Sequence, residues 1–195
     1  MPCCRCLAFA VLVLAAQSVA AAQEPAEPLE VVVLSPRDLP VKRVAFTIDG
    51  DTRHITFDAD GRASERFRPH PRGVKIALSF RVEEADNALM GAVWITNVLL
   101  NGSGHLEYQL LANGRGQSRQ WPVVTWLSSG ARLDVALNDG TIGSTRLLKG
   151  VAPARRHKAE WRSGPQAACT HEFTLDYNVE RTFECDPSSG KVTER

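Results

Sequence analysis

Cys169-Thr-His-Glu-Phe-Thr-Leu-Asp-Tyr177-Asn-Val-Glu-Arg-Thr-Phe-Glu-Cys185 is the stretch on which the fold reading turns. Tyr177 lies midway between the two cysteines. A reversal there sets Cys169 against Cys185, His171 against Phe183, Phe173 against Arg181 and Leu175 against Val179. Side chains alternate along a strand, so these eight residues share one face. The other face carries Thr170, Glu172, Thr174, Asp176, Glu180, Thr182 and Glu184, with no apolar group among them. Cysteine symmetry and binary pattern select the same register and predict a hairpin closed by a Cys169–Cys185 disulfide. The turn chemistry of residues 186–190 extends it to a third short strand at 191–193. A meander over 165–195 cannot stand alone in water, so Phe173, Leu175, Val179 and Phe183 are expected to pack on a larger sheet.

A disulfide needs an oxidising compartment, and the N-terminus predicts one. Arg5 is followed by an apolar run over residues 7–16 and by small residues at Ala20 and Ala22, the pattern of a cleaved signal peptide over 1–22. The run is too short for a membrane span of roughly 20 residues. Cys3, Cys4 and Cys6 precede it, so no lipid-anchor cysteine follows it. Cleavage leaves two cysteines, and an exported chain with two usually joins them. The expected location is the periplasm or the extracellular space. Removing residues 1–22 takes away one base and no acid, leaving 22 of each sign. Charge of that kind does not point to nucleic acid.

Periodicity of two dominates from Leu29 onward. Val44, Phe46 and Ile48 alternate, Asp49-Gly50 supplies a turn, and Ile55 and Phe57 return. The cleanest strand covers residues 74–82, with Val74, Ile76, Leu78, Phe80 and Val82 on one face. Asn101-Gly102 predicts a further hairpin that would pair Ile95 with Tyr108 and Val93 with Leu110. Residues 121–127 and 132–138 read as another pair. Turns recur every 8–12 residues, as in a sandwich or barrel, no helical stripe is present, and no internal repeat is apparent. The expected fold is all-β: an antiparallel sandwich, or partly open barrel, over 23–148. A basic linker at 149–164 would lead to the disulfide-linked C-terminal meander.

Catalytic signatures are missing. There is no GxSxG elbow; Ser103 and His105 sit in a turn; both remaining cysteines are committed. No cofactor motif is present. Asp49 and Asp51, with Asp58 and Asp60, are weak candidates for a shared cation if their two turns meet. The four tryptophans raise the possibility of sugar stacking, with Trp161, beside the basic segment, expected to be exposed. Arg155, Arg156, Lys158, Trp161 and Arg162 form a candidate surface for an anion or partner. Arg62, Ser64, Arg66 and Arg68 lie on one face and could extend it. A second reading lays the basic segment along the acid-rich face of the hairpin. The sequence therefore reads as an exported, non-catalytic binding module. Its partner would be a protein or an anionic envelope polymer, and peripheral membrane contact is open to it. Two alternatives stand beside it: an envelope-carbohydrate hydrolase or metal-dependent enzyme using Asp49, Asp51, Asp58 and Asp60, and an inhibitor presenting the loop at 176–179.

Overall fold

The computed structural model describes residues 27–195; the expected signal peptide and its cleavage site lie outside them. Sixteen strands and no helix are found among the described residues. The first eight are β1 (Leu29–Leu34), β2 (Arg43–Ile48), β3 (Asp51–Thr56), β4 (Arg62–Phe67), β5 (Lys75–Glu84), β6 (Val93–Leu99), β7 (His105–Leu110) and β8 (Gly116–Gln120). The second eight are β9 (Val123–Ser128), β10 (Asp134–Leu137), β11 (Gly140–Ser144), β12 (Leu147–Gly150), β13 (His157–Ser163), β14 (Gln166–Phe173), β15 (Glu180–Asp186) and β16 (Lys191–Glu194).

They form four sheets, ordered β4-β1-β7-β8, β3-β2-β5-β6, β12-β9-β15-β16 and β11-β10-β13-β14. Adding eight to each strand number of the first two sheets gives the last two. The senses of pairing repeat as well: β1 runs parallel to β7 and β9 parallel to β15, while the other neighbours are antiparallel. The chain is a topological duplication: two eight-stranded sandwiches in tandem, joined by Trp121-Pro122. That overturns the expectation of no repeat and of a single sandwich over 23–148.

Each sandwich closes over its own apolar cluster. In the first, strand β5 is as expected, with Ile76, Leu78, Phe80 and Val82 buried and Lys75, Ala77 and Arg81 exposed. Phe80 stacks on Phe46 of the same sheet at 4.5 Å and on Tyr108 of the opposite sheet at 4.8 Å. Phe67 meets Phe46 edge-on at 5.1 Å. Burying side chains of this kind contributes about 1.5–3 kcal/mol each. In the second, Trp126 packs against Trp161 at 5.5 Å and Phe183 at 5.7 Å.

The cysteine pair is joined, with Cα atoms 6.0 Å apart. The strands around it, however, do not form the expected hairpin. Strand β14 pairs with β13, setting Cys169 beside Trp161, whereas β15 pairs with β9 and β16, setting Cys185 beside Ser128 and Val192. The disulfide thus ties one sheet of the second sandwich to the other. One expected pair still meets, since His171 lies 4.8 Å from Phe183 between ring centroids, and Phe173, expected opposite Arg181, packs 4.9 Å from Phe183 instead. They meet across the core instead of side by side. Two facing sheets impose the same inward pattern as a hairpin, so face symmetry cannot separate the two. The C-terminal hairpin is β15–β16, where the third short strand was expected.

The same reason displaces two other expected pairs. Strands β6 and β7 fall in opposite sheets, so Asn101-Gly102 turns the chain between sheets, and β9 and β10 are likewise separated. The expected linker at 149–164 holds strand β13, whose inward His157, Ala159 and Trp161 are buried. Trp161 is fully buried, and its indole N–H donates to the Leu127 carbonyl at 2.9 Å. It is a core residue, not an exposed one.

Candidate binding cleft

The parallel pair β1–β7 has an outward face as well as a core face. Glu30 lies beside His105 and Val32 beside Glu107, with Arg62 on β4 and Arg119 on β8 completing the row. Two loops of the second sandwich, residues 151–156 and 174–179, lean over this face. Between them is a cleft of about 350 Å³, bounded by Glu30, Val32, Arg62, His105, Glu107, Trp121, Pro153, Arg155 and Tyr177.

Both loops are held at backbone level. Asn178 has a positive φ of 62°, a conformation asparagine tolerates better than most residues. Its N–H donates to the Gln120 carbonyl, and its side-chain oxygen accepts the Gln120 N–H, both at 2.8 Å. Tyr177 is thereby fixed beside β8. The first loop is anchored by buried His157. Its Nδ1 faces the Asn138 amide nitrogen at 3.0 Å, which makes Nε2 the protonated nitrogen that donates to the Ala152 carbonyl at 2.8 Å. The Asn138 side-chain oxygen accepts the Lys158 N–H, which sets the amide orientation. The connector is clamped too: Asn101 donates to the Trp121 carbonyl and Gln120 to the Leu99 carbonyl, each at 2.8 Å.

Inside the cleft, the His105 ring stacks on Trp121 at 3.6 Å and 15°. Its Nδ1 lies 3.4 Å from Glu30 Oε2. Burial pushes the His105 pKa below its ordinary value, against the pull of Glu30 and then Glu27. Burial, then the Glu107 charge, raises the Tyr177 pKa. Arg119 sits over the Tyr177 ring at 5.7 Å, within cation–π range. Glu107 and Arg62 are 3.9 Å apart, a loose pair. Ser103 bonds the main chain of His105, donating to its carbonyl and accepting its N–H, and does not reach the ring. That serine therefore shapes the turn. Flat aromatic faces and carboxylates set among guanidinium groups can stack on a ring and exchange hydrogen bonds with hydroxyls.

Of the five residues expected to form an anionic-partner surface, only Arg155 reaches the cleft. Arg156 pairs with Glu172 on the neighbouring strand. Lys158 and Arg162 flank Glu160, each at 2.6 Å, and hold its carboxyl below the usual range through their hydrogen bonds. The segment thus lies against acidic neighbours, Glu172 among them. Asp49, Asp51, Asp58 and Asp60 do not converge, because the 6-residue strand β3 runs between the two turns, roughly 20 Å at about 3.3 Å per residue. Asp49 accepts the Ala77 N–H, Asp51 pairs with Arg53, and Asp58 accepts the N–H groups of Asp60 and Arg62. These are turn and surface contacts. Among the described residues no cluster of three metal-ligating side chains forms. The loop at 176–179, read as an inhibitory tip, is docked on Gln120 instead of projecting.

Sequence reasoning singled out Arg62 and Arg155 but missed Glu30, His105, Glu107 and Tyr177 as a group, and placed Trp121 inside a strand. The one available signal was Trp121-Pro122 itself, because a proline after a run of polar alternation marks a break.

No family model and no curated protein matches the chain. Among solved structures it is similar to the Bacillus anthracis TIE protein, at 12% identity and a TM-score of 0.31, over 82% of this chain and 33% of that one. It is similar also to a streptococcal virulence factor that binds alpha-glucan, at 9% identity and a TM-score of 0.30, over 85% and 95%. The chain spans about a third of the first of these. Neither likeness, at these values, assigns a ligand.

Proposed function

We propose that the chain is an exported, non-catalytic binding module that takes a segment of envelope saccharide in the cleft between its two sandwiches. The observation that carries this reading is the cleft's composition: Trp121, His105 and Tyr177 offer ring faces, and Glu30, Glu107, Arg62 and Arg155 offer hydrogen-bonding groups around them. A formed disulfide supports the export part, since such bonds persist in oxidising compartments.

Trp121 makes the test direct. Trp94, Trp126 and Trp161 are buried in the two cores, whereas Trp121 is half-buried at the cleft. Saccharide binding should therefore change intrinsic fluorescence through Trp121 alone. Titration against a panel of envelope oligosaccharides is expected to give a saturable change that Trp121→Phe abolishes. A panel that yields no saturable change, or one that survives Trp121→Phe, rejects the reading. Chromatography of the bound sugar after prolonged incubation separates binding from hydrolysis, because Glu30 and Glu107 share the cleft and shortened products would assign them a catalytic part.

A further inference from the structure

We propose, resting on the cleft reading above, that the ligand is an acidic saccharide, one whose rings carry carboxylates, and that Arg155 selects for the acid. Four guanidinium groups surround the cleft. Arg62 and Arg155 line it, Arg119 lies over its Tyr177 wall, and Arg66, on the same face of β4 as Arg62 and beyond Ser64, adds its charge near His105. Among the described residues Arg66, Arg119 and Arg155 form no ion pair, and Arg62 has only Glu107 at 3.9 Å. The lining itself is balanced, Arg62 and Arg155 against Glu30 and Glu107, and Arg66 and Arg119 at its margin add the excess positive charge.

The contrast with the duplicated position is informative. The outward face of β9–β15 is the counterpart of β1–β7, and it holds a smaller recess of about 220 Å³ with Arg72, Arg181 and Arg195. All three already hold carboxylates: Arg72 that of Glu180 at 2.6 Å, Arg181 that of Glu194 and Arg195 that of Glu184, both at 2.9 Å. At the second recess every cation is neutralised, with Arg72 of the first sandwich paired to Glu180 of the second, whereas among the described residues Arg66, Arg119 and Arg155 stand without ion pairs at the first cleft.

Positive charge alone would fit any polyanion. Glu30 and Glu107 narrow the class, because a buried or half-buried carboxylate can only accept hydrogen bonds and repels a ligand without donors. A ligand that satisfies both sets of groups carries hydroxyls for Glu30 and Glu107 and carboxylates for the arginines, together with a ring face for Trp121. Uronic acid residues have all three. A guanidinium fork suits a carboxylate in a two-bond geometry that an ammonium group cannot reproduce.

The test uses oligosaccharides of galacturonate, mannuronate and glucuronate beside the same compounds with their carboxyl groups reduced, in calorimetry with the full mature chain. At least one uronate is expected to bind 10-fold or more tightly than its reduced counterpart. Arg155→Ala, a change on an exposed loop, should remove that preference, lowering the uronate's affinity to that of its reduced counterpart. Trp121→Ala should weaken both compounds equally. If the reduced compounds bind as well as the acids, or Arg155→Ala leaves the preference intact, acid selection is overturned while the cleft reading stands. If neither form binds, or Trp121→Ala changes nothing, the cleft reading itself fails.

Discussion

Breaking the Cys169–Cys185 bond should destabilise one half of the molecule and spare the other. The bond closes a loop of 16 residues. In the chain-entropy treatment that loop is worth about 3 kcal/mol at 25 °C. The second sandwich is a unit of about 70 residues, a size at which 1 kcal/mol moves a midpoint by roughly 4–8 °C, so the expected fall is about 12–24 °C. The first sandwich has a separate core, centred on Phe46, Phe80 and Tyr108, and holds no cysteine. Calorimetry of Cys169→Ala with Cys185→Ala should therefore show two transitions, one lowered by that amount and one near its original temperature. Both cysteines are buried, so alanine fits each site without a new polar group. The reasoning is refuted if both sandwiches shift together, or if the second moves by less than about 3 °C. The first result would mean that the two cores melt as one unit across the Trp121-Pro122 junction. The second would mean that the unfolded chain is compact there without the bond.

Gly150 is packed against the Ser103 backbone, and a Cβ there would overlap the Ser103 carbonyl. Gly150→Ala is expected to cost about 1–3 kcal/mol by overpacking at the junction, read by urea denaturation; a change below about 0.5 kcal/mol would show that the junction yields freely. Asp186 accepts hydrogen bonds from the Ser188 and Ser189 hydroxyls and the Ser188 N–H, which hold its carboxyl down at about 2 against an ordinary 3.8. Its folded pKa is depressed, so its contribution is complete above about 3.8 and fades as pH falls towards 2. A carboxyl NMR titration should place the midpoint near 2, and a midpoint at the ordinary value would remove the turn network from the account. Ile95 is 77% exposed on edge strand β6, beside exposed Val93 and Leu99. Ile95→Lys should leave stability within about 0.5 kcal/mol and reduce self-association in light scattering; a larger loss of stability would mean that this face is covered.

What the sequence made legible was local. Alternation located β2, the Asp49-Gly50 turn and β5, because a strand with one buried face needs a period of two whatever its neighbours are. Pairing was a different matter. In each sandwich the first strand runs parallel to the seventh, β1 with β7 and β9 with β15, across more than fifty residues of intervening chain. No turn signal encodes such a contact. Turn signals were misread for the same reason: Asn101-Gly102 reverses the chain, but a chain can reverse between sheets as readily as within one. The duplication was hidden because apolar positions recur with the fold while residue identities do not. Val33 beside Tyr108 in one copy corresponds to Trp126 beside Phe183 in the other.

The cleft follows from that duplication. An outward face of a parallel strand pair is polar and flat when alone, and Glu30, His105 and Glu107 read individually as solvated residues. Residues of the second sandwich change their setting, because Ala152, Pro153, Arg155 and Tyr177 line the same cleft. At the cleft Val32 is buried, burial lowers the His105 pKa, and Tyr177 lies near enough to Glu107 for that charge to help raise its own. The site is thus a product of tertiary arrangement between two copies of one fold. It also explains why the basic cluster at 155–162 misled: alternation sends His157, Ala159 and Trp161 to the core and Lys158, Glu160 and Arg162 to a zippered outer face. Arg155, placed before the strand begins, escapes that alternation and lines the cleft beside Glu30, Glu107 and Arg62 of the neighbouring sandwich.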